Sequence, residues 1–340
     1  MSVKKIAVIP KVHGLGGMVS FQGRFIAGLQ ARGYTVTQDI HEPEINAVLV
    51  IGGTRKIKDL MAVRRRGIRI VQRLNGMNWL HRVRRTPFRY YIRAETNNWV
   101  LAFIRRFVAH RIVYQSNFSQ WWWNKRFGKL KRTQSVVLNG VDLLKYAPSS
   151  EIEPPEDIIR ILMLEGHMGG SYSIGLNTGF ELACQVKEIT GKPTELLIAG
   201  DVPEKLQRSF SPPRNVSLKF MGVIPGSKVP EITQQAHMLF SADLNAACPN
   251  AVVEALACGL PVISFDTGAL AEMVPEYAGV IVPYGSNHWK LQKPDVASLA
   301  LAAQKVYEEN KTFRMGACRA AEEMFDIEKM LDKYLDALLG

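Results

Sequence analysis

Short apolar runs alternate with longer amphipathic stretches along almost the whole chain. Runs rich in Ile, Val and Leu at 5–10, 47–51, 68–74 and 111–115 have the length of buried strands. Between them apolar positions recur at helical spacing, over 18–31, over 87–110 and from Ser116 onward, and 136–138 closes this half. Residues 148–155, a run of prolines, serines and acids, have no periodicity and read as a linker. The pattern then restarts. Strands are expected at 159–164, 196–199, 217–220, 238–241, 261–265 and 280–283, with helices near 176–189, 251–257 and 327–339. Alternation of this kind predicts an α/β protein with parallel sheets. Each half opens as strand, glycine-rich loop, helix, so two Rossmann-like domains are expected, over 1–150 and 151–318, with a final helical segment at 319–340. A length of 340 residues also favours two cores over one.

Charge sharpens the division. Residues 1–150 carry 27 Lys and Arg against 6 Asp and Glu, whereas the remainder carries 16 against 25. A basic half joined to an acidic one points to an anionic partner for the first. Arg64 to Arg66, Arg82 to Arg85, Arg105 with Arg106, and the lysines and arginines of 125–132 form clusters there. Trp121, Trp122, Trp123 and Phe127 interleave with the last cluster, a combination suited to an anionic membrane surface. The alternative is a solvated basic face with the tryptophans in the core, because one helix cannot present three consecutive residues on one side. The basic half has no aromatic RNA-binding motif or helix-turn-helix, so nucleic acid is the less favoured partner. No apolar run is long enough to cross a bilayer. The four cysteines form no CxxC pair and no zinc spacing, so reduced thiols, a cytoplasmic setting on or off the inner membrane face, and no metal are expected.

Two segments carry candidate chemistry. Gly14, Gly16 and Gly17 lie between a strand and a helix, where backbone N–H groups can approach a phosphate; a tight turn alone would also use them. The segment 248–262 opens a helix at Pro249-Asn250. The N–H groups of Asn250 and Ala251 suit a diphosphate. Glu254 lies one turn further on, on the face of Asn250 and Cys258, where a carboxylate can accept both hydroxyls of a ribose. An ordinary capped helix with a surface glutamate would look the same in sequence.

Residues 249–272, with Glu254-Ala255, the run Ala257 to Val262, Gly268 and Glu272, resemble the donor-binding segment of the retaining family-four glycosyltransferases, glycosyl transferases group 1. Other stretches agree in order: Gly16-Gly17, the helix end at Arg32-Gly33, Asn139-Gly140-Val141-Asp142, the run Leu197 to Asp201, and Phe220-Met221-Gly222. The resemblance implies a GT-B fold, two Rossmann-like domains with parallel sheets facing a central cleft and a last helix crossing back to the first domain. It implies transfer of a sugar from a UDP-, GDP- or ADP-sugar to a glycan, lipid-linked or small-molecule acceptor, with retention, without a metal and without a cofactor beyond the donor. The donor-binding positions it implies are Gly16, Gly17, Gly166, Gly200, Val223, Asn250, Ala251 and Glu254. Asn75, His167 and Glu254 stand where reacting groups are expected.

Four positions depart from the family pattern. Ala246 stands where an acid usually meets the donor sugar. His167 and Ser173 or Ile174 stand near the usual Arg and Lys that neutralise the diphosphate, and Asn75 takes the place of a His. Charge-assisted hydrogen bonds contribute about 1.5–3 kcal/mol each, so substitutes are required. Arg73 or Arg55, or a backbone nest at Gly169-Gly170, are candidates. His13, His81 and His110 are further acid–base candidates. A non-catalytic nucleotide-sugar-binding homologue, an epimerase of the same fold and a nucleic-acid or anionic-surface binder are the competing readings.

Overall fold

The structure, a computed structural model, describes residues 4–14, 16–149, 152–168 and 173–340. The chain divides into two compact units, one formed by residues 1–140 with 327–340 and the other by 141–326. The expected boundaries lay at 150 and 318. The earlier break has a local cause. Ser149 N donates to Gln234 Oε1 at 2.7 Å, Gln234 Nε2 donates to the Ala147 carbonyl at 2.9 Å, and Val141 bridges to Asp326, so the 141–149 segment packs with the second unit.

The first unit runs β1 (Lys5–Ile9), α1 (Gly17–Ala31), β2 (Thr35–Thr37), β3 (Ile45–Ile51), α2 (Ile57–Arg65), β4 (Arg69–Leu74), α3 (Phe88–Phe103), β5 (Arg111–Tyr114), α4 (Asn117–Phe127) and β6 (Gln134–Val136). Its six strands are parallel, in the order β2-β1-β3-β4-β5-β6. Strand alternation sends Ile6 and Val8 to one face and Ala7 and Ile9 to the other. Both faces are covered, which is why these strands read as continuous apolar runs.

The second unit runs β7 (Ile159–His167), α5 (Ser173–Thr190), β8 (Thr194–Asp201), α6 (Glu204–Gln207), β9 (Val216–Gly222), α7 (Val229–Gln234), β10 (Met238–Phe240), α8 (Asn250–Ala257), β11 (Val262–Phe265), α9 (Leu270–Met273), β12 (Gly279–Val282), α10 (Val296–Glu308) and α11 (Asn310–Met324). Its sheet is also parallel, ordered β12-β11-β10-β7-β8-β9. The last helix, α12 (Ile327–Leu339), belongs to the first unit. Tyr334 packs on Phe21 and Phe25 of α1, with ring centroids 5.5 and 5.2 Å apart. Arg32 donates to Glu328 and Asp332, and Arg111 donates to the Asp336 carbonyl near the helix C-terminus, a favourable place for a cation.

Three local features differ from the expectations. The sequence pattern gave no sign of β2 or α2, which are short. The single helix expected over 87–110 is instead α3 followed by a π-turn at Ile104–Val108. Carbonyls left by that wider turn take arginine donors: Arg64 Nη1 donates to Val108 at 2.5 Å, and Arg132 donates to Ala109 and Arg106. Part of the basic cluster is therefore structural. The tryptophans divide. Trp123 is fully buried and Trp122 nearly so, whereas Trp121 is 48% exposed with Lys125 over its ring at 4.7 Å.

Candidate donor site

In a parallel α/β sheet, ligands bind outside the carboxyl ends of the strands, where the strand order reverses. In the second unit the reversal lies between β7 and β10: β8 and β9 extend one way, β11 and β12 the other. The candidates of this unit lie along those strand ends. Gly166 and His167 end β7, Gly200 and Asp201 end β8, and Val223 follows β9. Asn250 and Ala251 open α8, which follows β10. Gly16, Gly17 and Asn75 lie in the first unit, at the start of α1 and just past β4.

The end of β7 is irregular. Its pairing with β8 slips between Leu164 and His167, a bulge that sets His167 opposite Asp201. His167 Nδ1 lies 2.7 Å from Asp201 Oδ2, and both side chains are about half exposed, at 53% and 56%. Gly200 has a packing reason to be glycine: a Cβ there would lie 2.1 Å from the Glu165 carbonyl oxygen. Gly169 and Gly170, proposed as a nest, lie outside the described residues.

Two carboxyl groups that sequence reasoning missed stand at the reversal itself, Glu165 on β7 and Asp243 just past β10. By surface both residues are half-buried. Burial raises the pKa of both, and the Asp243 charge raises Glu165 further. Nearby, Asn245 adopts a left-handed backbone (φ 59°) and is 3% exposed. Neither polar atom of its carboxamide has a hydrogen-bond partner among the described residues, nor does the buried Ser241 Oγ. Buried polar groups are normally satisfied, so this concentration at one strand end marks a place built for a polar ligand. No local pattern flagged Asp243 or Asn245, because they lie in an aperiodic loop.

Folded Glu165 keeps its proton at pH values where the unfolded chain has lost it. Folding then takes up a proton, and stability falls as pH rises from the ordinary carboxylate range toward the raised folded value. Glu165→Gln, which removes the ionisation and keeps the shape, should flatten this slope and add on the order of 1–2 kcal/mol at its alkaline end. Thermal unfolding across pH 5 to 8 checks it; an unchanged slope would mean that Glu165 is ionised in the folded protein.

Glu254 is 8% exposed, and the rest of α8 beyond its first two residues is buried with it. The helix opens on Pro249, whose carbonyl accepts from Val252 and Val253. Ala246 is buried, its backbone tight against Gly268, where a Cβ would lie 2.5 Å from the Ala246 carbonyl oxygen. The neighbouring Cys258 thiol is pushed up to about 11, chiefly by burial, which leaves it unreactive.

In the first unit, Gly16 (φ 120°) stands at the N-cap of α1 with open space around it, so its backbone conformation is the reason for glycine. The Asn75 carbonyl accepts from Trp123 Nε1 at 2.7 Å and Ser119 Oγ at 3.2 Å, and its side chain accepts from Arg73 at 3.3 Å. Arg73 is not the reaching arm expected of it. It is 1% exposed, bonded to Asn139 Oδ1 at 2.9 Å and stacked over Phe21 at 3.7 Å. His81 is buried and bonded to Glu95 at 2.7 Å. His110 accepts the Ile70 N–H, and burial lowers its pKa, so both histidines are structural. Among the described residues no group of three or more His, Cys, Asp or Glu could hold a metal ion. No helix among them is long and apolar enough to cross a membrane.

Two parallel six-stranded units, one carrying its candidate site at a strand-order reversal, define the GT-B class of α/β proteins. Residues 176–309, within the second unit, match the family model described as glycosyl transferases group 1. Over 146 residues, 42% of the chain, the sequence is 25% identical to a phosphatidylinositol N-acetylglucosaminyltransferase subunit of Arabidopsis thaliana. That match spans 31% of the length of the plant protein. Among solved structures, the chain is similar to sucrose-phosphate synthase from Thermosynechococcus elongatus, with a TM-score of 0.73, 15% identity and 98% of each chain covered. It is similar to Anabaena HepE, solved in complex with UDP and glucose, with a TM-score of 0.72, 15% identity, and 98% of this chain and 99% of that one covered. These structural likenesses establish the fold.

Proposed function

We propose that the protein is a glycosyltransferase whose nucleotide-sugar donor binds the second unit at the β7–β10 strand ends. The observation that carries this reading is the convergence there of the α8 N-terminus, the buried unpartnered Asn245 carboxamide and Ser241 hydroxyl, and two carboxyl groups. The family match over this unit, and the UDP held by HepE, favour a nucleotide diphosphate as the anion.

Glu254 accepts the ribose hydroxyls, and the N–H groups of Asn250 and Ala251 meet the diphosphate. Gly166, Gly200 and Val223 bring backbone close to the nucleotide. His167, its ring fixed by Asp201, supplies a donor where the family has an arginine. In the reaction, the bond between the anomeric carbon and the diphosphate oxygen breaks. The acceptor hydroxyl oxygen bonds that carbon on the same face, and the hydroxyl proton leaves with the diphosphate. Helix amides and side-chain donors stabilise the leaving group, so neither a metal nor a cofactor beyond the donor takes part. The acceptor is a glycan or lipid-linked sugar, and the setting is cytoplasmic.

A panel of UDP, GDP and ADP with their sugar conjugates tests this by thermal shift. A ligand at a hundredfold excess over its dissociation constant stabilises by about 2.7 kcal/mol. One nucleotide family should raise the midpoint, and its sugar conjugate should release nucleoside diphosphate when acceptor is added. No shift with any of them would refute the donor site. Ala246 favours a second reading, a binding protein without turnover, which would give the shift but no release with any acceptor.

A further inference from the structure

The first unit holds a cavity of about 730 Å³ that the donor reading does not use. Trp99 and Phe103 of α3, Phe107 of the π-turn and Phe127 of α4 form its apolar wall. Trp99 and Phe107 are 60% and 56% exposed, although isolated aromatic side chains normally bury most of their surface. Arg105, Arg106 and Arg126 also line it. The volume falls in the range of small-molecule sites, roughly 300–1,000 Å³.

Arg105 is the unusual member. It is fully buried, donating from Nε to the Tyr114 hydroxyl at 2.8 Å and from Nη2 to Asn124 Oδ1 at 2.6 Å and the Gly128 carbonyl at 3.0 Å. Its Nη1 is buried with no hydrogen-bond partner among the described residues. A buried guanidinium with neutral partners is costly unless an anion completes it. None of its hydrogen-bond partners is an anion. Between residues 82 and 132 there are 13 Lys and Arg and one acid, Glu95, which Arg82 and His81 already hold. The same stretch concentrates exposed apolar surface: nine of the sixteen exposed large hydrophobic residues fall between Val83 and Trp121. An apolar hollow with a buried cation, set in a basic and aromatic surface, is complementary to an anionic amphiphile.

We propose that this cavity takes one acyl chain of an anionic phospholipid from a bilayer, with the lipid phosphate on the exposed Arg106 and Arg126 at its rim, above the buried charge of Arg105. Burial of chain methylenes and attraction of the basic residues to an anionic surface both favour this binding. Only the first unit is involved, so the outcome is independent of the nucleotide panel.

Flotation of the full chain with phosphatidylcholine vesicles, with and without phosphatidylglycerol, tests it, with a second set of vesicles carrying mid-chain brominated lipid to quench tryptophan emission. The protein should float with the anionic vesicles and be quenched by the brominated lipid. Trp99→Phe should lose the larger part of the quenching. Phe103→Asp with Phe107→Asp should weaken binding about tenfold or more, and Leu301→Asp, exposed in the second unit, should bind like wild type. Unaltered midpoints of thermal unfolding would show the variants to be folded. Four results would overturn the proposal: no vesicle binding, binding without quenching, binding indifferent to the double variant, or a dimer or oligonucleotide complex that the double variant abolishes in place of vesicle binding.

Discussion

Gly316→Ala should destabilise the second unit by about 3 kcal/mol or more, the upper range for overpacking a tight contact. A Cβ at this point of α11 would lie 1.7 Å from the Tyr277 carbonyl oxygen and 2.6 Å from its carbon. Both are backbone atoms, so no side-chain rotation relieves the clash. For a unit of this size each kcal/mol moves the unfolding midpoint by roughly 2–4 °C, so a fall of about 6–12 °C is expected. Gly23→Ala in α1 is the matched comparison, since nothing lies within 4 Å of its Cβ position. There the change should be neutral or stabilise by up to about 1 kcal/mol, because a helical glycine costs roughly 0.5–1 kcal/mol relative to alanine. Calorimetry of both variants settles the matter; an unchanged Gly316→Ala midpoint would mean that the 277 loop yields freely.

Glu254→Ala should lose most of the nucleotide-dependent stabilisation. A hydrogen bond to a charged group contributes about 1.5–3 kcal/mol, so loss of the ribose contact weakens donor binding by roughly 10- to 150-fold. The residue is buried, and its removal also costs stability without ligand. The decisive quantity is therefore the shift caused by nucleotide, not the midpoint itself. Glu254→Gln keeps the volume and one acceptor oxygen, and should fall between wild type and Glu254→Ala. If Glu254→Ala responds to nucleotide as wild type does, the carboxylate does not face the ribose.

The alternation of strands and helices was readable because both sheets are parallel and covered on two faces, which forces long apolar runs. The glycine turn at Gly16-Gly17 and the α8 segment were readable because helix starts have local grammar. What escaped depends on strand order. Glu165 and Asp243 are distant in sequence and meet only because β10 inserts beside β7, which no window along the chain encodes. Asn245 is a loop residue whose meaning comes from burial. Arg73 was misread for a related reason: within an apolar strand it could be an arm or a core cation, and only Phe21 and Asn139 decide between them. The tryptophan run was half readable, since helical geometry requires the three to divide but does not say which stays outside.

The placement of α12 has a consequence for synthesis. Met330, Leu331, Tyr334 and Leu338 help to close the apolar cluster around Ile6, Phe21 and Phe25. Those residues leave the ribosome before residues 141–326 are made, and their cover only afterwards. Residues 141–326 can complete their own core while the first unit still lacks a helix. The nascent chain therefore carries one uncovered apolar face of that sheet while its middle is being made, a surface exposed to misassembly until α12 arrives.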